Sequence, residues 1–315
     1  MARRALGSAG LNVVQAVERV RRGPLLIACS GGPDSLALAG AAAVVAARRG
    51  DPIRAVVVDH GLQPESADVA AGVVTQLQQR LKLAAEVIGV QVRDDGDGPE
   101  AAARDARYAA LQAAATEDEH ILLGHTMDDQ AETVLLGLAR GSGVRSLAGM
   151  PAARGRFVRP FLGLRRSVTA AACQEFGLDP WIDPHNQDRR FTRVRVRTEV
   201  IPTLEEQLGP GVTEALARSA QLARADADYL DELASRATRD LAGPALNVDV
   251  LLNLPEPIAT RVLRWWLLDA GAHEASATHI QAAWGLVVDW RGQVGVDLPG
   301  LRIRRHAGRL LAEPL

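Results

Sequence analysis

Pro24-Leu25-Leu26-Ile27-Ala28-Cys29, followed by Ser30-Gly31-Gly32-Pro33-Asp34-Ser35, is the stretch that decides the fold of this chain. The apolar run suits a buried strand, the glycines make a turn, and Leu36 to Val45 then reads as a helix. Two glycines let the backbone bend tightly and bring its N–H groups close to an anion, and a helix N-terminus adds partial positive charge. The loop therefore suits a phosphate. It is not the Walker loop, whose Gly-Lys-Ser/Thr ending is absent, nor a nucleophile elbow, since no G-x-S-x-G frames Ser30 or Ser35. A plain strand–turn–helix connection would account for the glycines but not for Asp34, a carboxylate set where phosphates would repel it. An acid there makes chemical sense if it holds a magnesium ion bound to those phosphates.

Outward from this loop, strand and helix signals alternate. Ile53 to Asp59 is a β-branched run typical of a buried parallel strand. It ends at His60-Gly61-Leu62, and Gln63 to Leu81 reads as helix. Ala85 to Val92 is a third strand running into the acidic turn Asp94-Asp95-Gly96-Asp97-Gly98-Pro99, which fails the EF-hand ligand pattern and reads as a solvated loop. Pro99 and Glu100 open a helix through Ala115 that carries Arg104, Arg107 and Tyr108. Ile121 to Gly124 is a fourth strand, and Met127 to Arg140 a helix. This alternation predicts an α/β fold with a doubly wound parallel sheet, in which ligands sit beyond the carboxyl ends of the strands near the switch point. Ser30, Asp59-His60 and His125 each follow a strand end, so one crevice would collect them.

Beyond Met150 the pattern loosens. Arg159-Pro160-Phe161-Leu162 reads as extended, Ser167 to Phe176 as helix, and Trp181 to Arg190 as polar and turn-rich. The basic run Phe191 to Arg197 reads as a helix start, because helical spacing continues from Thr198 to Leu208. Val212 to Leu241 is one long helix, and Gly243-Pro244 marks a boundary. The remainder predicts a small α+β unit, with helices at Ile258 to Ala270 and Ala277 to Asp289 and short strands around Pro299-Gly300 and Gly308. Trp265, Trp266, Trp284 and Trp290 are expected in its core rather than as base-stacking platforms. The expected division is 1–203, a linker over 204–242, and 243–315.

At 47% hydrophobic and 23% charged residues the chain can build a sizeable core. Its net charge of −2 argues against a generally basic nucleic-acid protein, yet twelve Arg face five acids between Arg140 and Val200. Such a patch can meet phosphates. The two cysteines, Cys29 and Cys173, offer no disulfide framework or zinc spacing, which points to a reducing, cytoplasmic location. No apolar run is long enough to span a bilayer, so no membrane partner is expected. Lys82 is the sole lysine, which reflects composition rather than function.

Gly124-His125-Thr126-Met127-Asp128-Asp129-Gln130-Ala131-Glu132-Thr133 is the second informative stretch. On a helix, His125, Asp129 and Glu132 share one face. Acids in a first turn complement the helix dipole, which explains Asp128 and Asp129 but neither His125 nor Glu132. An acidic face beside a phosphate loop should hold a cation, either a metal or an ammonium group.

SGGxDS at Ser30 to Ser35 resembles the signature of the PP-loop ATP pyrophosphatases, which cleave ATP between its α- and β-phosphates and transfer adenylate to an oxygen that then leaves. GHxxDDQxET at Gly124 to Thr133 resembles, more narrowly, the tRNA(Ile)-lysidine synthetases. That likeness runs from the loop through Pro202. It includes His60-Gly61-Leu62, the ExxxRxxRY helix at Glu100, Arg104, Arg107 and Tyr108, and RGSGxxxLxGM from Arg140 to Met150. It continues with Arg159-Pro160-Phe161-Leu162, with Asp183-Pro184 and Asn186, and with Arg193, Arg195, Arg197 and Pro202. His185 and Val194 depart from the usual Ser and Asn. The C-terminal unit is similar to the family's first C-terminal domain, with no counterpart of the second that longer members carry.

The resemblance implies that ATP adenylates the wobble cytidine in the CAU anticodon of tRNA(Ile), and that free L-lysine then displaces AMP through its ε-amine, giving lysidine. It implies ATP and Mg2+ as cofactors, with Ser30, Gly31, Gly32, Pro33, Asp34, Ser35, His60 and Gly124 around ATP and Asp34 on the metal. Asp34, His125, Arg104 and Arg107 are the expected catalytic residues: His125 contacts phosphates or assists proton transfer, and the arginines stabilise charge on the α-phosphate. Asp129 and Glu132 would bind lysine. Arg193, Arg195 and Arg197, with the long helix and the C-terminal tRNA-binding domain, would grip tRNA mainly through phosphates. A homodimer is compatible with this reading. The related tRNA thiolases need cysteines for sulfur or an iron–sulfur cluster, and the amide-forming synthetases need an ammonia source for which this length leaves no domain.

Overall fold

Leu25, Leu26 and Ile27 have no solvent exposure and form most of strand β1 (Leu25–Ala28). The computed structural model of the chain describes residues 6–61, 65–91, 99–141, 143–238, 245–272 and 275–315. In it β1 lies mid-sheet, parallel to β2 (Ile53–Asp59) on one side and to β4 (His120–Leu123) on the other. β3 (Ala84–Gly89) continues in parallel beyond β2, and β6 (Phe157–Val158) beyond β4. β5 (Ala153–Arg154) closes the edge as an antiparallel hairpin, giving the order β3-β2-β1-β4-β6-β5. This is the doubly wound sheet expected from the sequence, and its order reverses between β1 and β4.

Strand side chains alternate between faces, so each strand feeds two cores. Leu25, Ile27, Ala55, Val57 and Leu122 pack with α1 (Ser8–Glu18), α2 (Pro33–Arg49), α3 (Ser66–Gln76) and α7 (Arg166–Glu175). Leu26, Val56, Ile121 and Leu123 pack instead with Leu111 and Tyr108 of α4 (Pro99–Ala114). Each fully buried aliphatic side chain contributes about 1.5–3 kcal/mol. Cys29 and Cys173 are buried free thiols in this unit, and burial pushes the Cys173 thiol up to about 11.

Two compact units divide the chain. One comprises Met1–Leu135 and Met150–Ala217, the other Leu136–Gly149 and Arg218–Leu315. Residues 136–149, which include the C-terminal end of α5 (Met127–Ala139) and α6 (Val144–Leu147), thus belong with the second unit, an excursion absent from a contiguous division.

In the first unit, Arg159 to Leu162 forms a turn rather than the expected extended segment. Leu162 N–H donates to Arg159 O (3.5 Å) and Leu164 N–H to Phe161 O (2.8 Å). Pro160 has no N–H for a ladder, and the turn buries Phe161 completely. The basic run does begin a helix: α8 (Thr192–Arg195) passes through a π-type turn, Val196–Val200, into α9 (Ile201–Leu208). Pro202 lacks the N–H that a regular turn would direct at Thr198, which suits the wider turn there. A similar turn, Leu77–Leu81, ends the helix expected to run to Leu81.

In the second unit most of α10 (Val212–Thr238) joins β7 (Ala245–Asn247), α11 (Val248–Leu252), α12 (Glu256–Asp269) and α13 (Ala277–Val288). β8 (Val296–Leu298), β9 (Leu301–His306) and β10 (Arg309–Pro314) complete an antiparallel sheet of order β7-β10-β9-β8. Pro299-Gly300 and Ala307-Gly308 are the turns between these strands rather than strand centres. Ala307 and Gly308 both take positive φ, as a tight hairpin with the native twist requires, and Gly300 takes positive φ after Pro299, as the second central residue of a type II turn does. Trp266 and Trp284 are core residues, with Trp265 and Trp290 packed against them. Leu62, Gln63, Val92, the acidic residues Asp94 to Asp97, Ser142 and the Gly243-Pro244 break lie outside the described residues. Among those described, no helix is long and apolar enough to cross a membrane.

The N-terminus of α10 is closed by a carboxylate from α9. Glu205 accepts from the N–H groups of Gly211 (2.7 Å), Val212 (3.1 Å) and Thr213 (3.0 Å). These bonds, led by that from Thr213, hold its carboxyl down at about 2, below its ordinary 4.5. A depressed carboxyl stabilises the fold above its unfolded value and loses that contribution as pH falls through the folded one. Glu205→Gln is therefore expected to melt below the parent protein at pH 7, with the gap in melting temperature narrowing between pH 4.5 and pH 2.

Candidate active site

The loop after β1 is locked from within. Ser30 donates to Ser35 Oγ through its N–H (3.2 Å) and hydroxyl (3.3 Å), and Ser35 donates to Gly32 O (3.0 Å). Gly31 has φ +82°, and a Cβ there would lie 2.5 Å from Val73 Cγ2. Pro33 occupies the first turn of α2, where its missing N–H costs nothing. Gly124, just past β4, is packed against the loop: a Cβ would come within 3.1 Å of the Asp34 carbonyl and Ser35 N. The two strand ends flanking the switch point are thereby held together.

Asp129 and Glu132 of α5 carry the negative side of the site, and Glu132 has no solvent exposure. Two guanidiniums of this chain meet them. Arg166 Nη2 donates to Asp129 Oδ1 at 2.6 Å and contacts Glu132 at 3.4 Å, while Arg197 Nε reaches Glu132 Oε1 at 2.7 Å. Asp129 also accepts from the Thr126 N–H and hydroxyl, both at 2.8 Å. Burial opposes its ionisation, but Arg166 and the Thr126 N–H hold the carboxyl below its ordinary value. Arg166 Nε lies 3.5 Å from Asp34, whose carboxylate also accepts from the Thr169 hydroxyl. Burial outweighs both partners and pushes the Asp34 carboxyl up, with Asp129 adding to the rise.

A second cluster is strongly basic. Arg104 and Arg107 stack on Tyr108, their guanidinium carbons 5.0 and 5.7 Å from the ring centroid, and Tyr108 rests on Phe157. Arg159, 5% exposed, donates to the Tyr108 hydroxyl at 3.0 Å. His60 Nδ1, Arg107 Nε, His125 Nδ1 and Arg159 Nε are all buried without a hydrogen-bond partner. Burial, with the charges of Arg104, Arg193 and Arg159, holds the Arg107 guanidinium below its ordinary value. Burial likewise takes His125 down to about 3 against the pull of Asp129, with the nearby arginines adding to the drop. Crowded like charges and orphaned nitrogens suit an anion. His125 is neutral at pH 7 here, and a bound anion would raise its basicity.

The structure therefore gathers the loop, Gly124, His125, Asp129 and Glu132 with Arg104, Arg107 and His60 beyond the strand ends. It places the three basic-run arginines differently. Arg197 lies on the acidic pair, Arg193 donates to Thr133 Oγ1 (3.3 Å) near Arg107, and Arg195 bonds the carbonyls of Arg189 (2.7 Å) and Arg190 (2.9 Å). Sequence reasoning assigned no role to Arg159, Arg166 or Thr169. Their one advance signal was that buried acids such as Asp129 and Glu132 need cationic partners. For magnesium, Asp34 provides one carboxylate beside a phosphate loop, the usual manner of holding that ion jointly with substrate phosphates. Among the described residues no group of three or more His, Cys, Asp or Glu is arranged to hold a metal alone.

Residues 9–204 match the model of a PP-loop domain, and residues 246–311 match that of the TilS substrate binding domain. The chain is 54% identical to the tRNA(Ile)-lysidine synthase of Mycolicibacterium paratuberculosis over 288 residues, 90% of this chain and 87% of that protein. It belongs to the tRNA(Ile)-lysidine synthase family. The synthase of Thermobifida fusca is 53% identical, covering 91% of this chain and 90% of its own. Among solved structures, the U34-tRNA thiolase NcsA from Methanococcus maripaludis superposes with a TM-score of 0.55 at 16% identity, over 68% of this chain and 77% of that one. That likeness concerns the fold. The acidic and basic clusters of this synthase-family chain stand on its own geometry.

Because Gly124 sits against the backbone of the loop, Gly124→Ala should displace the phosphate cradle by tenths of an ångström. The expected outcome is an approximately tenfold weaker affinity for a non-hydrolysable ATP analogue by calorimetry, with little change in melting temperature.

Proposed function

We propose that this chain ligates L-lysine to the wobble cytidine of the CAU anticodon of tRNA(Ile), using ATP and releasing AMP and pyrophosphate. The observation that carries this reading is the pairing of a locked phosphate loop with two oppositely charged clusters at one switch point, in a chain of this family. The cytidine 2-oxo oxygen attacks the α-phosphorus of ATP as the bond to pyrophosphate breaks. The lysine ε-nitrogen then attacks C2, the C2–O bond breaks, AMP leaves with that oxygen, and the nitrogen loses its proton to a base.

The residues divide these tasks by charge. Ser30, Gly31, Gly32, Pro33 and Ser35 cradle phosphate, with His60 and Gly124 at the neighbouring strand ends. Arg104 and Arg107 stabilise charge building on the α-phosphate. His125, neutral beforehand, donates its ring N–H to a phosphate oxygen and gains basicity as phosphate charge enters. Asp34 would hold magnesium, which when bound supplies charge neutralisation between the phosphates. Asp129 and Glu132 attract the lysine ammonium and exchange it against Arg166 and Arg197.

Residues 1–203 form the catalytic part, 204–242 the linker and 243–315 the tRNA-binding part, a division supported by the two family matches. Arg193, Arg195 and Arg197 lie in a basic segment suited to tRNA, although the bonds of Arg197 favour an internal role. ATP and tRNA as substrates imply a cytoplasmic enzyme.

AMP formation should require lysine and tRNA(Ile) together. AMP released at the same rate without either one would overturn the proposal. Asp34→Asn should abolish pyrophosphate release while the protein stays folded by circular dichroism; turnover like the parent's would remove Asp34 from the metal. Asp129→Asn should raise the KM for lysine at least tenfold more than that for ATP, and equal shifts would exclude it from the lysine site.

A further inference from the structure

Two partners hold the carboxylate of Asp34, one on each oxygen, and both come from the start of α7. Thr169 donates its hydroxyl to Asp34 Oδ1, and Arg166 Nε lies 3.5 Å from Asp34 Oδ2. Residues three apart on a helix share a face, so α7 meets the acid with a hydroxyl and a guanidinium side by side. The last torsion of an aspartate is soft, and two contacts of this kind fix the plane of its carboxylate.

The contact exceeds what the fold asks of Thr169. Its side chain has no solvent exposure, and its hydroxyl oxygen also lies 2.8 Å from the Arg166 carbonyl, the local partner open to a helical threonine. A hydroxyl carries one proton, so it serves the carbonyl or the carboxylate but not both at once. An ionised carboxylate is the stronger acceptor and draws that proton across. Arg166 holds Asp34 less closely. Its Nη2 is engaged by Asp129 at 2.6 Å, while the approach of Nε to Asp34 is 3.5 Å. Oδ1 is therefore the pinned oxygen of Asp34, and Oδ2 is the one left for a cation.

We propose that Thr169 is a positioning residue: by pinning Oδ1 it holds Asp34 in the orientation from which Oδ2 takes magnesium. The inference rests on the assignment of Asp34 to magnesium above and deepens it, since it places control of that carboxylate on α7, outside the phosphate loop. Valine has nearly the shape of threonine without the hydroxyl, and serine keeps the hydroxyl without the methyl. The two substitutions therefore separate the hydrogen bond from the packing.

The test is the magnesium dependence of binding a non-hydrolysable ATP analogue, read by calorimetry over a magnesium series and in EDTA. Thr169→Val is expected to raise the magnesium concentration for half-maximal binding about tenfold, as loss of a hydrogen bond to a charged group does, with affinity in EDTA unchanged. Thr169→Ser should stay within about twofold of the parent, because the donor is kept. In an Asp34→Asn background, Thr169→Val should add nothing to the magnesium dependence, since both act through one carboxylate. In the AMP assay the Thr169→Val defect should be relieved by excess magnesium. A Thr169→Val protein with the parent's magnesium dependence, or one that binds the analogue more weakly by the same factor with and without magnesium, would overturn the positioning role. Asp34→Asn separates the two readings. A change with Asp34→Asn but none with Thr169→Val overturns the role of Thr169 alone, whereas no change with Asp34→Asn overturns the metal assignment itself.

Discussion

A buried carboxylate must find a cation, and Glu132, with no solvent exposure, finds two. Arg166 begins α7 and Arg197 lies in the turn between α8 and α9, so their meeting on α5 fixes where both segments run. The same Arg166 reaches Asp34 at the start of α2. One network thus ties the phosphate loop, the acidic helix face and the basic segment to one another. Separating a single partner would strand charge in a poorly solvated place, a cost of several kcal/mol.

This network also separates two electrostatic compartments. On one side, Asp129, Glu132 and Asp34 suit cations. On the other, Arg104, Arg107 and Arg159 with two orphaned imidazole nitrogens suit an anion. His125 sits between them, drawn toward the charged form by Asp129 and away from it by burial and the arginines. The family to which the chain belongs performs chemistry between groups of those kinds, and the proposed roles follow from the two signs of charge.

Much of this was legible in advance. The β-branched and aliphatic runs at 25–28 and 53–59 are short, apolar and followed by glycine or polar residues, so parallel strands and their switch point could be read directly. GHxxDDQxET could be placed on a helix face by spacing alone. Positions 159–162 were misread as extended because a proline-containing apolar segment fits a strand edge or a turn, and only the burial of Phe161 chooses the turn. The strands near 299 and 308 were displaced by a few residues because their glycines belong to the hairpin turns that positive φ demands.

The sequence by itself determined the sheet, the phosphate loop and the presence of an acidic helix face, because these depend on local periodicity and backbone conformation. Only the tertiary structure decided which cations meet that face. Arg166 and Arg197 are 34 to 65 residues away from Glu132, and no local pattern carries a pairing across that separation. The same holds for the basic cluster, where Arg159 joins Arg107 through Tyr108 and not through any spacing. Charge partners are selected by where folded segments leave a buried carboxylate or guanidinium unsolvated, and that is a property of the packed chain.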